Sequence, residues 1–549
     1  MTRSFFRLMK WKILTGVAAV AALAVILVVR TDRARRIHEH NARLDTRAGK
    51  VAAEPWTRIE TDSFVIYSDA PQAVLPLARD LEMLHRATES LAVRPAFKSG
   101  STIVVLPSAR SQWRTLATAR PARGPVRRTR SGVGDLIVVD GDWEPGARAG
   151  ELYRALAATQ LRRLGFPPLY WHEHGLGALL AGAQIDRANS IVILKLPEPE
   201  IDELFARGWL PWADVLAAKP ESALVVQEPA RFAAQSAALV YRCLGERADV
   251  WQRVRLPRWL AELHAGQPAT PGRLADLFDD TEAELNESLT AEITVRQRRL
   301  SASTALRNEL TQVHGRRAAQ AAEIRELFIL SELLGRNDPG ARTELAALRA
   351  AADRTPSLRP IAAELLLDAG DRDGALMELR AAIAADAASS AVYAAAARWQ
   401  FERSLPDWKL ASRLGPEAAE MAAWCERAQA LDADNPEPVV WRALTQAFAP
   451  SFTEDEFREL AELYAWHRES VRDDRLSLAM AVGWARQGDP RGKAARPWAK
   501  TVLRSTTSDA ATRRIAAEIL ESIPADPDEM TLEEEMAADQ ASRSPGMGP

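Results

Sequence analysis

Residues Phe166–Gly182 read FPPLYWHEHGLGALLAG, and whether this stretch is helical or extended decides both the architecture around it and its chemistry. Pro167 and Pro168 mark a turn, and the apolar, small-residue run behind them predicts a helix over 171–183. Two of the chain's eight histidines, His172 and His174, flank Glu173. On a helix, residues two apart point roughly 200° from each other, so both imidazoles face one ion only if the backbone is extended. A helical zinc hydrolase instead needs histidines at i and i+4, which share one face, and a glutamate after the first to activate the metal-bound water. The histidines stand at 38, 40, 85, 172, 174, 264, 314 and 467, and none has a partner four residues away.

Upstream, WTRIETDSFVIYSD (56–69), STIVVLPS (101–108) and GDLIVVDGD (134–142) carry strand-type patterning, and SIVILKL (190–196) is a fourth strand candidate. Leu75–Leu91 repeats apolar residues at helical spacing. Further helices are expected over 147–165, 212–218, 228–245, 256–265 and 272–296. This half is therefore α+β. Beyond 300 the chain is rich in alanine and leucine with helical periodicity and almost no strand signal, which predicts an all-α second domain.

Weak internal repetition runs through that second part. IAAELLLDAGDRDGALMELRAAIAADAAS (361–389) sets a Gly-Asp turn between two helices, and LAMAVGWARQGDPRGKAARPWAKTVL (478–503) repeats it at Gly488 and Asp489. MAAWCERAQALDADNPEPVVWRAL (421–444) breaks a helix at Asp-Ala-Asp-Asn-Pro. The spacing resembles tetratricopeptide repeats, whose hairpins stack because none buries its face alone. Several repeats lack that family's aromatic and proline positions, so a generic array of helical hairpins is the alternative.

From Trp56 to about Leu289 the chain resembles the peptidase-MA-like, gluzincin-type domains often coupled to such repeats in bacterial envelope proteins. The opening strand, Trp56–Ser68, matches that family's W-x-x-[IV]-x-[ST]-x-x-F-x-[VI]-Y-S form, and FAAQSAALVYRCL (232–244) matches its Y-x-Q-S-x-A-L-V-x-Y-L helix. The resemblance implies a helix carrying H-E-x-x-H and, about twenty residues later, a glutamate third ligand in P-x-W-x-x-E-G-L-A. Placing Gly175 and Leu176 on that Gly-Leu puts His174 in the third-ligand place. The H-E-x-x-H place then reads Gly150-Glu151-Leu152-Tyr153-Arg154, so only the general-base glutamate remains. Glycine offers no ligand, and arginine is a fixed cation without a lone pair. The implied cleft remnant is Gly150, Glu151, Arg154, His172, Glu173 and His174, with no catalytic set and no cofactor. The competing expectation is an active metal-dependent hydrolase with zinc, Glu151 as base and His174 as ligand. Without metal, Glu151 is expected to pair with Arg154 at i,i+3, and His174 to be a hydrogen-bonded histidine lining the cleft.

Cys243 lies in an apolar helix and reads as core, and Ser236 lacks a nucleophile-elbow turn. The two cysteines, Cys243 and Cys425, fall in different halves and make no disulfide framework. No phosphate-binding loop or dinucleotide fingerprint is present. The formal net charge of −3 excludes a global basic field, so nucleic acid is not an expected partner. Arg120, Arg123, Arg127, Arg128 and Arg130 sit in what reads as a Pro/Gly-broken loop, which either touches anionic lipid or an acidic partner or is simply solvated.

Finally, Ile13–Val29 (ILTGVAAVAALAVILVV) is 17 residues without charge behind Arg3, Arg7, Lys10 and Lys12. That length just spans a bilayer, and no cleavage site precedes Arg30, so an uncleaved signal anchor is expected. Arg30, Arg33, Arg35 and Arg36 oppose the charge bias in front of it. The size of the body behind a short leader favours a single-pass bacterial inner-membrane protein with that body exported to the periplasm. The expected organisation is a leader and anchor over 1–30, a juxtamembrane linker over 31–55, the peptidase-MA-like domain over 56–298, helical repeats over 299–525 and a disordered tail over 526–549. The expected function is a membrane-anchored, non-catalytic binding or scaffold protein with a protein or peptide partner on its repeats. An assembly factor in which the repeats alone matter is a third possibility, separable by truncation after about residue 300.

Overall fold

The β-branched runs are strands buried on both faces. The computed structural model describes residues 42–523 together with Arg35 and Glu39, except 92–100, 118–125, 130–132, 140–148, 164–168, 245–269 other than Trp259, 295–299, 304–312, 351–353, 468–472 and a few single or paired positions. Strands β1 (Thr57–Glu60), β2 (Phe64–Ser68), β3 (Thr102–Val105), β4 (Val126–Arg128), β5 (Leu136–Val139) and β9 (Gly315–Ala318) form one sheet in the order β4-β5-β3-β2-β1-β9. β2, β3 and β5 are parallel, with Phe64 opposite Thr102 and Ile103 opposite Leu136. The outer strands β4, β1 and β9 pair antiparallel. A second sheet has the order β6-β7-β8, from Gln184–Asp186, Ile191–Leu194 and Leu300–Ser303. The fold is mixed α+β and mostly helical.

The period of two divides the sheet's side chains between two cores. Phe64, Ile66, Val104, Ile137 and Val139 pack with helices α2 (Pro71–Leu91), α3 (Ala149–Arg163), α4 (Tyr170–Ala181) and α5 (Pro229–Leu244). Val65, Tyr67, Ile103, Val105, Leu136 and Val138 belong instead to the core shared with the C-terminal helices. Such two-sided burial is what a continuous apolar run in a parallel sheet demands, and each side chain fully removed from water stabilises by about 1.5–3 kcal/mol.

Residues 42–52 form helix α1 and bury Leu44, Ala48 and Val51 in that second core. Helix α6 (Ala321–Leu333) lies there too, with Phe328 edge-on to Trp113 at 5.1 Å. Four helix pairs follow: α7 (Arg359–Asp368) with α8 (Arg372–Ala384), α9 (Ser390–Ser404) with α10 (Glu417–Leu431), α11 (Glu437–Ala447) with α12 (Glu454–His467), and α13 (Asp474–Arg486) with α14 (Ala495–Arg504). Helix α15 (Ala510–Ser522) ends the stack. The first helices of neighbouring pairs touch from α9 to α11, α11 to α13 and α13 to α15. The Gly-Asp turn between α7 and α8 holds Gly370 at φ 80°, and Asp371 accepts the Gly374 amide as the next N-cap.

Several expectations change. Trp56–Asp69 is a hairpin of two strands, with Glu82 accepting from the Ser63 amide and the hydroxyls of Thr61 and Ser63 at its turn. The helix expected over 272–296 is two, Pro271–Phe278 and Glu282–Thr294, broken where Asp279 takes a left-handed φ of 55°. The boundary at 298 falls too early: β8 and β9 complete sheets that begin in the first half, so the passage to all-helix comes after Ala318. The linker expected over 31–55, for which a helix is one of the two readings, is helical over 42–52 and contributes to the core. The stretch expected as an arginine loop contains β4. Arg127 is buried there, donating to the Ser331 carbonyl and lying 3.7 Å from Glu332. Arg120, Arg123 and Arg130, the apolar run 13–29, the 256–265 helix apart from Trp259, and the 526–549 tail lie outside the described residues. Among the described residues no helix is long and apolar enough to cross a membrane.

Candidate functional site

Helices α3 and α4 pack antiparallel through small residues. A Cβ on Gly150 would lie 3.4 Å from Ala181 Cβ, and one on Gly177 would lie 3.3 Å from the Arg154 carbonyl oxygen. These two contacts fix the levels of the remnant residues. Glu151 sits exposed in the first turn of α3, beside the C-terminal end of α4. His174 lies six positions before Leu180 on α4, roughly 9 Å along the axis at 1.5 Å per residue, and on the level of the middle of α3. The structure therefore does not bring Glu151 and His174 to one point. The α3 residue whose charge acts on His174 is Arg154.

His174 is packed against aromatic rings, with Tyr170 centred 4.3 Å and Phe232 of α5 5.5 Å away. Burial, then the positive charges of Arg154 and Arg128, push its imidazole down to about 4. His172 faces the core, as the helical backbone requires. It stacks on Trp171 at 5.1 Å, and burial alone pushes it down to about 3. Both rings are neutral near pH 7. Glu173 accepts from the Arg128 guanidinium on β4, so strand and helix are tied beside the histidine. The alternation along β4 sends Arg127 toward α6 and Arg128 toward Glu173 of α4.

Among the described residues no three His, Cys, Asp or Glu side chains group so as to hold a metal ion. The charges that act on the His174 ring are the cations Arg154 and Arg128, the latter paired with Glu173, and they disfavour its protonation. What the arrangement offers is a neutral imidazole among aromatic rings, at the edge of a sheet whose outermost strand is β4. Tyr170 has no sequence signal as a site residue, and Arg128 reads from sequence only as part of an arginine loop. Three-residue strands escape periodicity, and Tyr170 reads simply as a helix start.

Helix α4 meets α5 at Gly175, where backbone approaches backbone. A Cβ there would collide with the Ser236 carbonyl oxygen and lie 2.6 Å from both its carbonyl carbon and Val240 Cγ2. Neither neighbour is the free end of a flexible side chain, so Gly175→Ala is expected to lower stability by about 2–3 kcal/mol. A fall in urea midpoint at unchanged slope would show it, and an unshifted midpoint would mean that the helices part at no cost. On the same helix Gln235 is buried and closes a pair of hydrogen bonds with the Leu210 backbone at 2.8 and 3.0 Å. Cys243 is buried in α5 and Cys425 in α10, and neither is in a disulfide. A scan against family models and searches of curated proteins and of solved structures found no match for this chain.

Proposed function

We propose that the chain is a membrane-anchored binding or scaffold protein of the bacterial envelope. In this view the α+β half is a peptidase-MA-like domain that has lost its metal chemistry, and the helical hairpins are tetratricopeptide-like and hold a protein or peptide partner. One observation carries the loss of chemistry: the α3 side chain acting on His174 is Arg154, a permanent cation, while Glu151 stands exposed at another level of the helix pair. The His172 ring, turned into the core, offers no second ligand on that side. A stack of helix pairs presents a long surface made by its first helices, the usual seat of an extended partner in such arrays. The anchor is residues 13–29 and the body is exported.

Elemental analysis of the purified chain, beside Glu151→Gln and His174→Ala, tests the reading. Zinc at background in all three is the expected result. Stoichiometric zinc that disappears with His174→Ala would overturn it in favour of a hydrolase.

A further inference from the structure

Between α9 and α10 the chain does not turn directly. The segment Leu405–Gly415, described except for Asp407, runs as a strap against α9, α11 and α15. Trp408 sits edge-on to Phe401 of α9, with ring centres 5.2 Å apart, and against Phe448 at the end of α11, at 5.7 Å. The Leu414 amide donates to the Phe448 carbonyl at 2.8 Å. Arg413 lies close enough to Arg486 at the end of α13 for its charge to add to burial in pushing that guanidinium down to about 10. On α15, Glu518 accepts the Leu410 amide at 2.9 Å and Arg514 donates to the Trp408 carbonyl at 3.0 Å.

Two features distinguish this strap from an ordinary connection. Glu518 and Arg514 stand one turn apart and grip main-chain atoms of the strap, a mode that reads an extended backbone whatever its side chains. Its specificity rests on one aromatic ring placed between Phe401 and Phe448, and Trp441 lies 5.6 Å from Phe401 behind them. Lys409, Ala411 and Arg413 face solvent, while Leu405 and Leu414 at the two ends are buried in the core, so the span between them is held at a few points.

We propose that residues 405–415 are a built-in occupant of the array's partner surface, and that the partner is an extended peptide segment bearing an aromatic residue, which binds by displacing the strap. The inference rests on the array's role proposed above and names its ligand chemistry. A tethered occupant competes at an effective concentration of about millimolar, so a free segment making only the strap's own contacts cannot displace it.

The test uses the full chain and a fluorescent synthetic peptide of residues 404–416. The wild type is expected not to bind it at micromolar concentration. Trp408→Ala, which loosens the strap in place, should bind it at least tenfold more tightly, and adding Arg514→Ala with Glu518→Ala should abolish that gain. Because Trp408→Ala removes packing, Arg514→Ala/Glu518→Ala alone supplies a second readout on a helix face that is not core: trypsin cleavage at Lys409 and Arg413 should accelerate severalfold. Equal peptide binding by wild type and Trp408→Ala, or cleavage at the wild-type rate, would overturn the inference. Zinc in the cleft would sink the proposed function and leave these strap measurements unmoved, so the two failures are separable.

Discussion

Acidification from pH 6.5 to 4.5 is expected to remove about 3–4 kcal/mol of folding stability through two histidines of one helix. His172 and His174 have an ordinary pKa of 6.5 and folded values near 3 and 4. A depressed histidine pKa means that the unfolded chain binds more protons than the folded one between the two values. Stability therefore rises with pH through that window and is lost as pH falls below 6.5. Each such group contributes about 1.4 kcal/mol per pH unit, continuing to about pH 4 for His174 and to about pH 3 for His172. The His172 contribution is the firmer, since its ring is 2% exposed and its shift comes from burial alone. His174 is partly exposed by area although deeply enclosed by atoms, so solvent screening trims its share. Ordinary carboxylates titrate mostly below this window. Urea midpoints at pH 7, 6, 5.5 and 4.5 for the wild type, His172→Phe and His174→Phe measure it. The wild-type slope should exceed either variant's, and three superimposable pH profiles would mean that neither ring is held neutral by the fold.

The same helix shows how far sequence alone reaches. Its histidines two apart predict different faces if helical, and helix α4 does send His172 into the core and His174 against Tyr170 and Phe232. The antiparallel level of α3 against α4 was not legible, because it is set by Gly150 and Gly177 meeting the opposite backbone. Small residues have no periodic signature, and a match by spacing alone cannot choose between neighbouring turns. The strands buried on both faces were legible as apolar runs, yet nothing in a run says which core each face joins. Short strands carry the least signal: LSAS at 300–303 and GRRA at 315–318 are polar, and they are strands only because β7 and β1 present open edges to them. A truncation after residue 300 therefore removes β9 and uncovers the sheet face that packs with α6. It would not separate two independent units. Two of the turns between paired helices were legible as Gly-Asp, but the strap was not, since its anchors Arg514 and Glu518 lie about a hundred residues away.

How tightly helix α6, which packs in the core below the sheet, is joined to the helix pairs can be measured at Arg354. Its guanidinium is 1% exposed and donates to Glu326 of α6 at 2.7 Å and to Glu378 of α8 at 3.3 Å, both carboxylates being nearly as buried. Glu378 has further cations in Arg359 at 3.3 Å and Arg349 at 3.7 Å, whereas Glu326 has in addition the Thr355 amide at 2.8 Å. Replacing Arg354 by methionine keeps much of the volume and strands the Glu326 charge out of water. That imbalance, not the loss of an attraction, sets the cost at about 3–5 kcal/mol. Arg354→Met combined with Glu326→Met removes both charges at that corner and should recover most of the loss, because an apolar pair of similar volume avoids the desolvation that the ion pair had to offset. Urea unfolding of the wild type, the single variant and the double variant decides it. A single variant within about 1 kcal/mol of wild type would mean that water reaches Glu326. A double variant no better than the single would mean that the pair acts through shape, and that the contact between the sheet's covering helix and the array depends on this particular guanidinium.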